Sequence, residues 1–229
     1  MMNTLRNSVA IAALAIVVGY SFQARADILV KATDGVNTGT ADDHATPGHT
    51  SYSGAIGNFT VSYDLGAGFP GVGSPSQPVL DLTSLDLTTG TAGGTLTVSV
   101  TETDFTTTTG PMQFLSSLVG NYVNSQATLS TYFDTTNAHF GTGTLLSSGL
   151  LNNQSAVAVE PIITGPYSLT EIVTITAGAN SLTSLDAIVR DAPEPATVSV
   201  LGAALLMMLG IVGVRRVAAT GRHAVLAFG

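Results

Sequence analysis

Apolar and small polar residues alternate along most of the middle of this 229-residue chain. In residues 59–65 and 95–101 every second residue is apolar, and most of the residues between them are Thr or Ser. Residues 126–134 and 167–176 follow a similar pattern. A period of two with abundant Thr and Val is typical of β-strands. The pattern predicts an all-β domain over residues 27–191, an antiparallel β-sandwich or jelly-roll-like fold with about eight to ten strands.

Gly, Pro, Asn and Asp punctuate these runs and predict turns, among them a long loop over residues 66–78 and a turn over residues 178–180. The apolar positions change phase once, where Leu82 is followed by Leu85. This shift predicts either a β-bulge near Thr83-Ser84 or a turn between two short strands.

One segment fits a helix better than a strand. Residues 112–122 carry apolar side chains at helical spacing, and Pro111 is suited to the first helical position. We therefore expect a helix from Met112 to Tyr122, with Phe114, Leu115, Leu118 and Val119 on its apolar face.

The beginning of the chain has the features of an export signal. Arg6 is followed by an apolar core over residues 9–19, and Ala24 and Ala26 form an A-x-A cleavage site. The apolar core is short for a membrane span. We expect a signal peptide over residues 1–26, which general secretion machinery recognises and which cleavage removes.

Residues 196–214 contain no charged side chain. As a helix, this segment spans about 28 Å, close to the hydrocarbon thickness of a bilayer. Pro193 and Pro195 precede it, and Arg215 and Arg216 follow it as a membrane stop. The sequence predicts a transmembrane helix over 196–214, a short cytoplasmic tail over 217–229, and the domain on the opposite side of the membrane.

Residues 192–216 resemble the PEP-CTERM sorting signal of Gram-negative, biofilm-forming bacteria. The resemblance rests on Pro193-Glu194-Pro195, the apolar segment and the two arginines, in that order. It implies recognition by exosortase, an integral-membrane cysteine protease or transpeptidase. It also implies removal of the apolar segment and transfer to the cell surface or extracellular matrix; the alternative is a permanent membrane anchor.

The middle of the chain also resembles an exported domain that recurs ahead of such signals. Three stretches carry the resemblance: Pro78–Asp86, Gly94–Phe105 and Gly165–Glu171. The resemblance implies a β-sandwich and no particular activity.

The charge of the exported part limits its partners. Residues 27–194 contain all 15 acidic residues and only Lys31 and Arg190 as bases, a net charge of −13. Such a domain does not bind nucleic acid through its phosphates and repels anionic lipid headgroups. The chain has no cysteine, so disulfides and thiolate chemistry are excluded.

Two groups of residues could hold a divalent metal, although we expect no cofactor. His44 and His49 lie with Asp42 and Asp43 in one polar segment, which a flexible exposed loop would also explain. Calcium is the other candidate, because exported β-sandwiches gather carboxylates at one edge. Its candidate ligands are Asp81, Asp86, Glu102 and Asp104.

Catalytic signatures are absent from the sequence: there is no G-x-S-x-G, H-E-x-x-H or phosphate loop. His139 is expected to form structural hydrogen bonds. We therefore expect a non-enzymatic exported protein of the cell surface or matrix. The alternative is a secreted module that binds or hydrolyses matrix polysaccharide. A threonine face that binds ice or mineral would need T-x-T ladders on one sheet, and only the fragments Thr95–Thr97 and Thr101–Thr103 occur.

Overall fold

The computed structural model describes residues 26–65, 68–106, 110–160 and 162–192. These residues form ten β-strands and no helix, so the all-β prediction is confirmed. The strands are β1 (Ile28–Thr33), β2 (Thr38–Asp42), β3 (Thr50–Ile56), β4 (Phe59–Leu65), β5 (Val79–Thr89), β6 (Gly94–Phe105), β7 (Met112–Asp134), β8 (Thr144–Leu151), β9 (Gln154–Glu160) and β10 (Tyr167–Asp191).

All pairings are antiparallel, and two long strands organise them. β7 and β10 pair with each other from Phe114–Asp191 to Asp134–Ser168. The other edge of β10 pairs first with β6 and then with β5, while the other edge of β7 pairs with β9 and then with β8. The result is a first layer in the order β8-β7-β10-β6-β1-β2 and a second layer in the order β9-β7-β10-β5-β4-β3.

The two layers lie face to face because β7 and β10 fold back on themselves. The rings of Phe114 and Phe133, both on β7, stack with centroids 6.5 Å apart. The fold occurs where the β7–β10 register shifts, between Ala177 and Leu182. Residues 178–180, predicted as a turn between strands, are therefore a bend within one strand.

Inward-facing residues of both layers form one hydrophobic core, as the period of two predicts. Leu96 and Val98 come from the first layer, Leu80 and Leu82 from the second, and all are fully buried. The two layers and their shared core describe a nearly closed antiparallel sheet of the sandwich type.

The phase shift in β5 is a β-bulge, one of the two predicted alternatives. Leu85 pairs with Leu185 and Leu82 with Ala187, so that Thr83 and Ser84 share the single residue Asp186. Ser84 adopts a φ of 53° and its N–H donates to Asp186 Oδ1 at 2.7 Å. The extra residue keeps all four leucines of β5 on the buried face.

The predicted helix over Met112–Tyr122 is wrong, because this segment is the first half of β7. Its apolar residues also fit a strand: Phe114 and Leu118 point into the core, and Val119 lies on the outer face. Strands β9 and β10 pair with it on both sides, and these non-local pairings override the local helical spacing.

Among the described residues, no helix has the length and apolar character needed to cross a bilayer. The predicted membrane helix over 196–214 and most of the predicted signal peptide lie outside the described residues.

Candidate functional site

Five threonines from five different strands form one row across the first layer. Thr38, Thr33, Thr97, Thr174 and Thr128 lie directly opposite one another on β2, β1, β6, β10 and β7. Opposite residues in antiparallel pairs share a face, and these lie on the outer face. All five are partly or fully exposed. The row runs perpendicular to the strands, so no stretch of the sequence displays it.

Two further rows flank this one and extend the hydroxyl-bearing surface. On one side Thr176 pairs with Thr95 and with Gln126. On the other side the row contains Thr40, Lys31, Ser99, Ile172 and Ser130. We call these three rows the threonine face. Its T-x-T pairs lie on β2, β6 and β10; those of β6 and β10 are in register with each other, and that of β2 is displaced by one row.

The spacing of the threonine face follows from sheet geometry. Neighbouring strands lie about 4.8 Å apart, and residues i and i+2 of one strand lie about 6.7 Å apart. Each hydroxyl can donate one hydrogen bond and accept two. The threonines therefore form a two-dimensional array of short side chains that carry both a methyl and a hydroxyl, interrupted in the flanking rows by Lys31, Ile172 and Gln126.

Some hydroxyls of the threonine face form hydrogen bonds within the protein and others do not. Thr33 Oγ1 donates to the carbonyl of Asn37 at 2.8 Å and contacts Thr38 Oγ1 at 3.2 Å, which fixes the β1–β2 turn. The hydroxyls of Thr97, Thr128 and Thr174 make no hydrogen bond to another described residue. The centre of the face is therefore the part able to bond an external ligand.

The threonine face carries no carboxylate in its three rows, although the domain is strongly acidic. Lys31 is the single charged residue among these positions. Buried residues of β6 and β10, including Leu96, Val98 and Val173, support the face from below. This support holds the strands, and hence the hydroxyls, in fixed register.

The second predicted T-x-T fragment is not part of the exposed surface. Thr101 and Thr103 are buried, and Thr170 Oγ1 lies 3.2 Å from Thr101 Oγ1. The hydroxyl of Ser168 donates to the carbonyl of Ala138, which brings the β7–β8 loop over this end of the layer.

Acidic groups collect at the same end, around a cavity of about 220 Å³ lined by Ala26, Asp27, Asp43 and His44. Asp43 is buried and accepts the N–H groups of Ile28 at 3.2 Å and Gly48 at 2.8 Å. Its role here is to fix the backbone that surrounds it.

Glu102 is also buried at this end, on the inward face of β6. Its Oε1 accepts the N–H of Phe69 at 2.7 Å, whereas Oε2 has no hydrogen-bond partner among the described residues. Burial raises the pKa of Glu102 well above its usual value and the nearby Asp43 raises it further, while the Phe69 N–H opposes the shift.

The two histidines considered as metal ligands contact different carboxylates. His44 Nδ1 lies 3.0 Å from Asp42, and His49 Nε2 lies 2.8 Å from Asp64. The hydrogen bond from His44 lowers the pKa of Asp42, and the same contact raises the pKa of His44. His139 Nε2 lies 3.4 Å from Asp27, in keeping with a structural role.

The four candidate calcium ligands are distributed over two layers. Asp81 and Asp86 lie on the outer face of β5, while Glu102 and Asp104 end β6, where Asp104 accepts a hydrogen bond from Asn137 at 2.7 Å. Nowhere in the described ranges do three or more His, Asp or Glu residues form a group suited to a metal ion. The expectation of no cofactor, with calcium as the alternative, stays a prediction.

Sequence analysis missed a carboxyl group in the core. Glu171 is fully buried, and neither carboxylate oxygen has a hydrogen-bond partner among the described residues. Burial raises its pKa well above the usual value and Asp81 raises it further, while the backbone of Val189 opposes the shift. Glu171 occupies an inward position of the alternation between Leu169 and Val173, and that signal could have revealed it.

The predicted sorting and processing residues fall mostly outside the described residues. These are Ala24, Pro193, Glu194, Pro195, Arg215 and Arg216. Ala26, the last residue of the predicted signal peptide, is described and is buried beside the acidic cavity.

Comparisons with known proteins give no assignment. No protein-family model matches the chain, and no curated protein matches it. The solved structures with some likeness include the enzymatically active domain of bacteriophage CBA120 tailspike protein 4, with 15% identity and a TM-score of 0.29, covering 60% of this chain and 20% of that one. Another is infectious bursal disease virus, Gx strain, with 14% identity and a TM-score of 0.22, covering 82% of this chain and 53% of that one. The chain thus spans about a fifth and about half of these structures.

Proposed function

We propose that this chain is a non-enzymatic, exported protein of the cell surface or extracellular matrix, whose threonine face contacts matrix polysaccharide. The threonine face is the observation that carries the proposal. The sequence signals at residues 1–26 and 192–216 support the location. Exosortase is the proposed sorting enzyme, and residues 196–214 are a transient or permanent anchor in the membrane.

The positions of the domain ends suit such an anchor. Because β10 folds back, its two ends lie at the same end of the sandwich, where the backbone of Val189 faces Glu171. β1 begins at this end too, since Ile28 and Leu169 both pair with Glu102. An anchor that follows Asp191 would therefore hold the acidic end towards the membrane and direct the bend of β7 and β10 away from it.

The threonine face matches the chemistry of a polysaccharide in one respect. Sugar hydroxyls donate and accept hydrogen bonds, as Thr and Ser hydroxyls do. Each exposed hydrogen bond adds little affinity, because it replaces a bond to water. A repeated array facing a repeated polymer gains avidity from many such contacts.

Removal of hydroxyls from the face tests the proposal. The variant Thr97→Val/Thr174→Val keeps the shape of two paired side chains and removes their hydroxyls. We expect it to lose at least about half of its cosedimentation with exopolysaccharide from the host. The matched control is Thr60→Val/Thr88→Val, an exposed cross-strand pair on the outer face of the second layer, which should bind like the wild type. Equal binding by all three proteins would contradict the proposal.

The five-threonine row also favours a second candidate, contact with an ordered water or mineral surface. A periodic array of hydroxyl and methyl groups fits a periodic solid better than a single sugar chain. In this case the Thr97→Val/Thr174→Val variant would lose inhibition of ice recrystallisation or mineral adsorption, while polysaccharide cosedimentation would be absent from the wild type as well.

A further inference from the structure

Four strands form the lateral edges of the two layers, and three of them are protected. β2 and β3 lie against each other, with the Tyr52 ring packed over Gly39 and Gly54. β8 is interrupted by two register shifts, and Gly149 within it has a φ of 60°. Bulges, covering residues and irregular edges are the ordinary means by which proteins prevent edge pairing.

The fourth edge strand, β9, contacts β8, to which a two-residue turn joins it, but it lacks the register shifts of β8. It pairs with β7 over seven consecutive residues, from Gln154 to Glu160, without a register shift. It contains no Pro, Lys or Arg. Its second edge pairs with no strand among the described residues. Val157 and Val159 point outward from it, 57% and 64% exposed.

The charge pattern of β9 indicates which strand would fit beside it. The domain carries a net charge of −13, but Glu160 is the single charged residue of β9. When a second β9 pairs antiparallel about Val157, Glu160 lies opposite Gln154 and both valines at position 157 meet. This register pairs all seven residues, separates the two carboxylates and keeps both inward faces on the same side of the sheet.

We propose that β9 is a self-association edge, through which two copies of this chain form an antiparallel dimer centred on Val157. The second layers then continue as one sheet through backbone hydrogen bonds, in the manner of strand addition. The contact is smaller than a standard interface, so the dimer forms reversibly and its fraction rises with protein concentration. Salt strengthens it, because screening reduces the repulsion between two anionic domains.

The absence of cysteine from the sequence permits a direct test on the protein as its host produces it. In the Val157→Cys variant the two new thiols lie opposite each other, within the Cα separation of about 4.5–5.5 Å that a disulfide accepts. The matched control is Val123→Cys, because Val123 is 56% exposed on the outer face of the same layer but away from the edge. We expect mild oxidation to convert Val157→Cys, and not Val123→Cys, to a species of twice the mass.

A second measurement covers the case in which the thiol itself perturbs the edge. Wild type and Val123→Lys should show a concentration-dependent doubling of mass in sedimentation velocity, while Val157→Lys stays monomeric because it places a charge at the centre of the contact. A monomeric wild type, or equal crosslinking of both cysteine variants, would overturn the proposal. Neither result bears on the threonine face, which lies on the outer side of the other layer.

Discussion

Ser116 and Thr131 lie on the same β-strand, 15 residues apart in sequence, and their hydroxyl oxygens are 2.7 Å apart across the core. A straight strand of this length would separate them by about 50 Å. The contact is possible only because β7 folds back on itself and contributes one half to each layer. Thr131 Oγ1 also lies 3.0 Å from Ser147 Oγ on β8, which makes a buried chain of three hydroxyls.

This hydroxyl chain should be sensitive to partial removal. Thr131→Val deletes the central hydroxyl and leaves Ser116 and Ser147 without their buried partner. We expect the free energy of unfolding to fall by about 1–3 kcal/mol. Urea denaturation measures it.

The triple variant Ser116→Ala/Thr131→Val/Ser147→Ala is the matched control, because it leaves no unpaired hydroxyl in the chain of three. It should recover part of the loss despite carrying more changes. If the losses simply add, the three hydroxyls are not coupled.

The bend of the long strands depends on a close approach between two residues. The side-chain N–H of Asn124 donates to the carbonyl of Ala179 at 2.8 Å, and a Cβ at position 178 would collide with the Asn124 side chain. Gly178→Ala should lower the free energy of unfolding by about 1–3 kcal/mol. Gly90→Ala is the control, since a Cβ there meets no atom within 4 Å and its effect should be within about 0.5 kcal/mol. Equal effects of the two substitutions in thermal unfolding would contradict this account of the bend.

Parts of the fold were predictable because they depend on local pattern. The alternation in Phe59–Leu65 predicted β4, and the phase shift between Leu82 and Leu85 predicted a bulge or a turn, of which the structure shows the bulge. The length of β7 was not predictable, because its first half has apolar residues that fit either a helix or a strand. Only the pairing with β9 and β10, distant in sequence, decides between them.

The threonine face illustrates the same limit for the candidate site. Thr95–Thr97 was visible as a fragment, but Thr33, Thr128 and Thr174 lie on other strands and join it only through the sheet register. The buried carboxyl of Glu171 was visible in principle. Its inward position follows from the alternation, although its lack of a partner does not.

Glu171 and Glu102 predict an unusual dependence of stability on pH. Both have a pKa raised by burial, so the folded state binds more protons than the unfolded state between the unfolded pKa of about 4.3 and the raised folded pKa. Their contribution is fully present below about pH 4.3 and is lost as the pH rises through the folded pKa. The pKa of Asp81 is raised to about 6 by burial and by Asp186, so Asp81 changes the stability with pH in the same direction as Glu171.

The variant Glu171→Gln removes one of these titrations while keeping the shape of the side chain. We expect the free energy of unfolding to fall less steeply between pH 5 and 8 in this variant than in the wild type, as followed by urea denaturation across that range. Asp86→Asn, which removes an exposed carboxylate on β5, should leave the slope close to that of the wild type. A slope unchanged by Glu171→Gln would show that Glu171 ionises as readily in the folded as in the unfolded chain.

The proposed export and sorting of the chain to the cell surface or matrix can be tested on the protein from its native host, by intact mass combined with fractionation of the cells. We expect a mass that begins at Asp27 and ends near Pro195, with the protein in the extracellular fraction. A mass that retains residues 196–229, with the protein in the inner membrane, would contradict sorting and establish a permanent anchor.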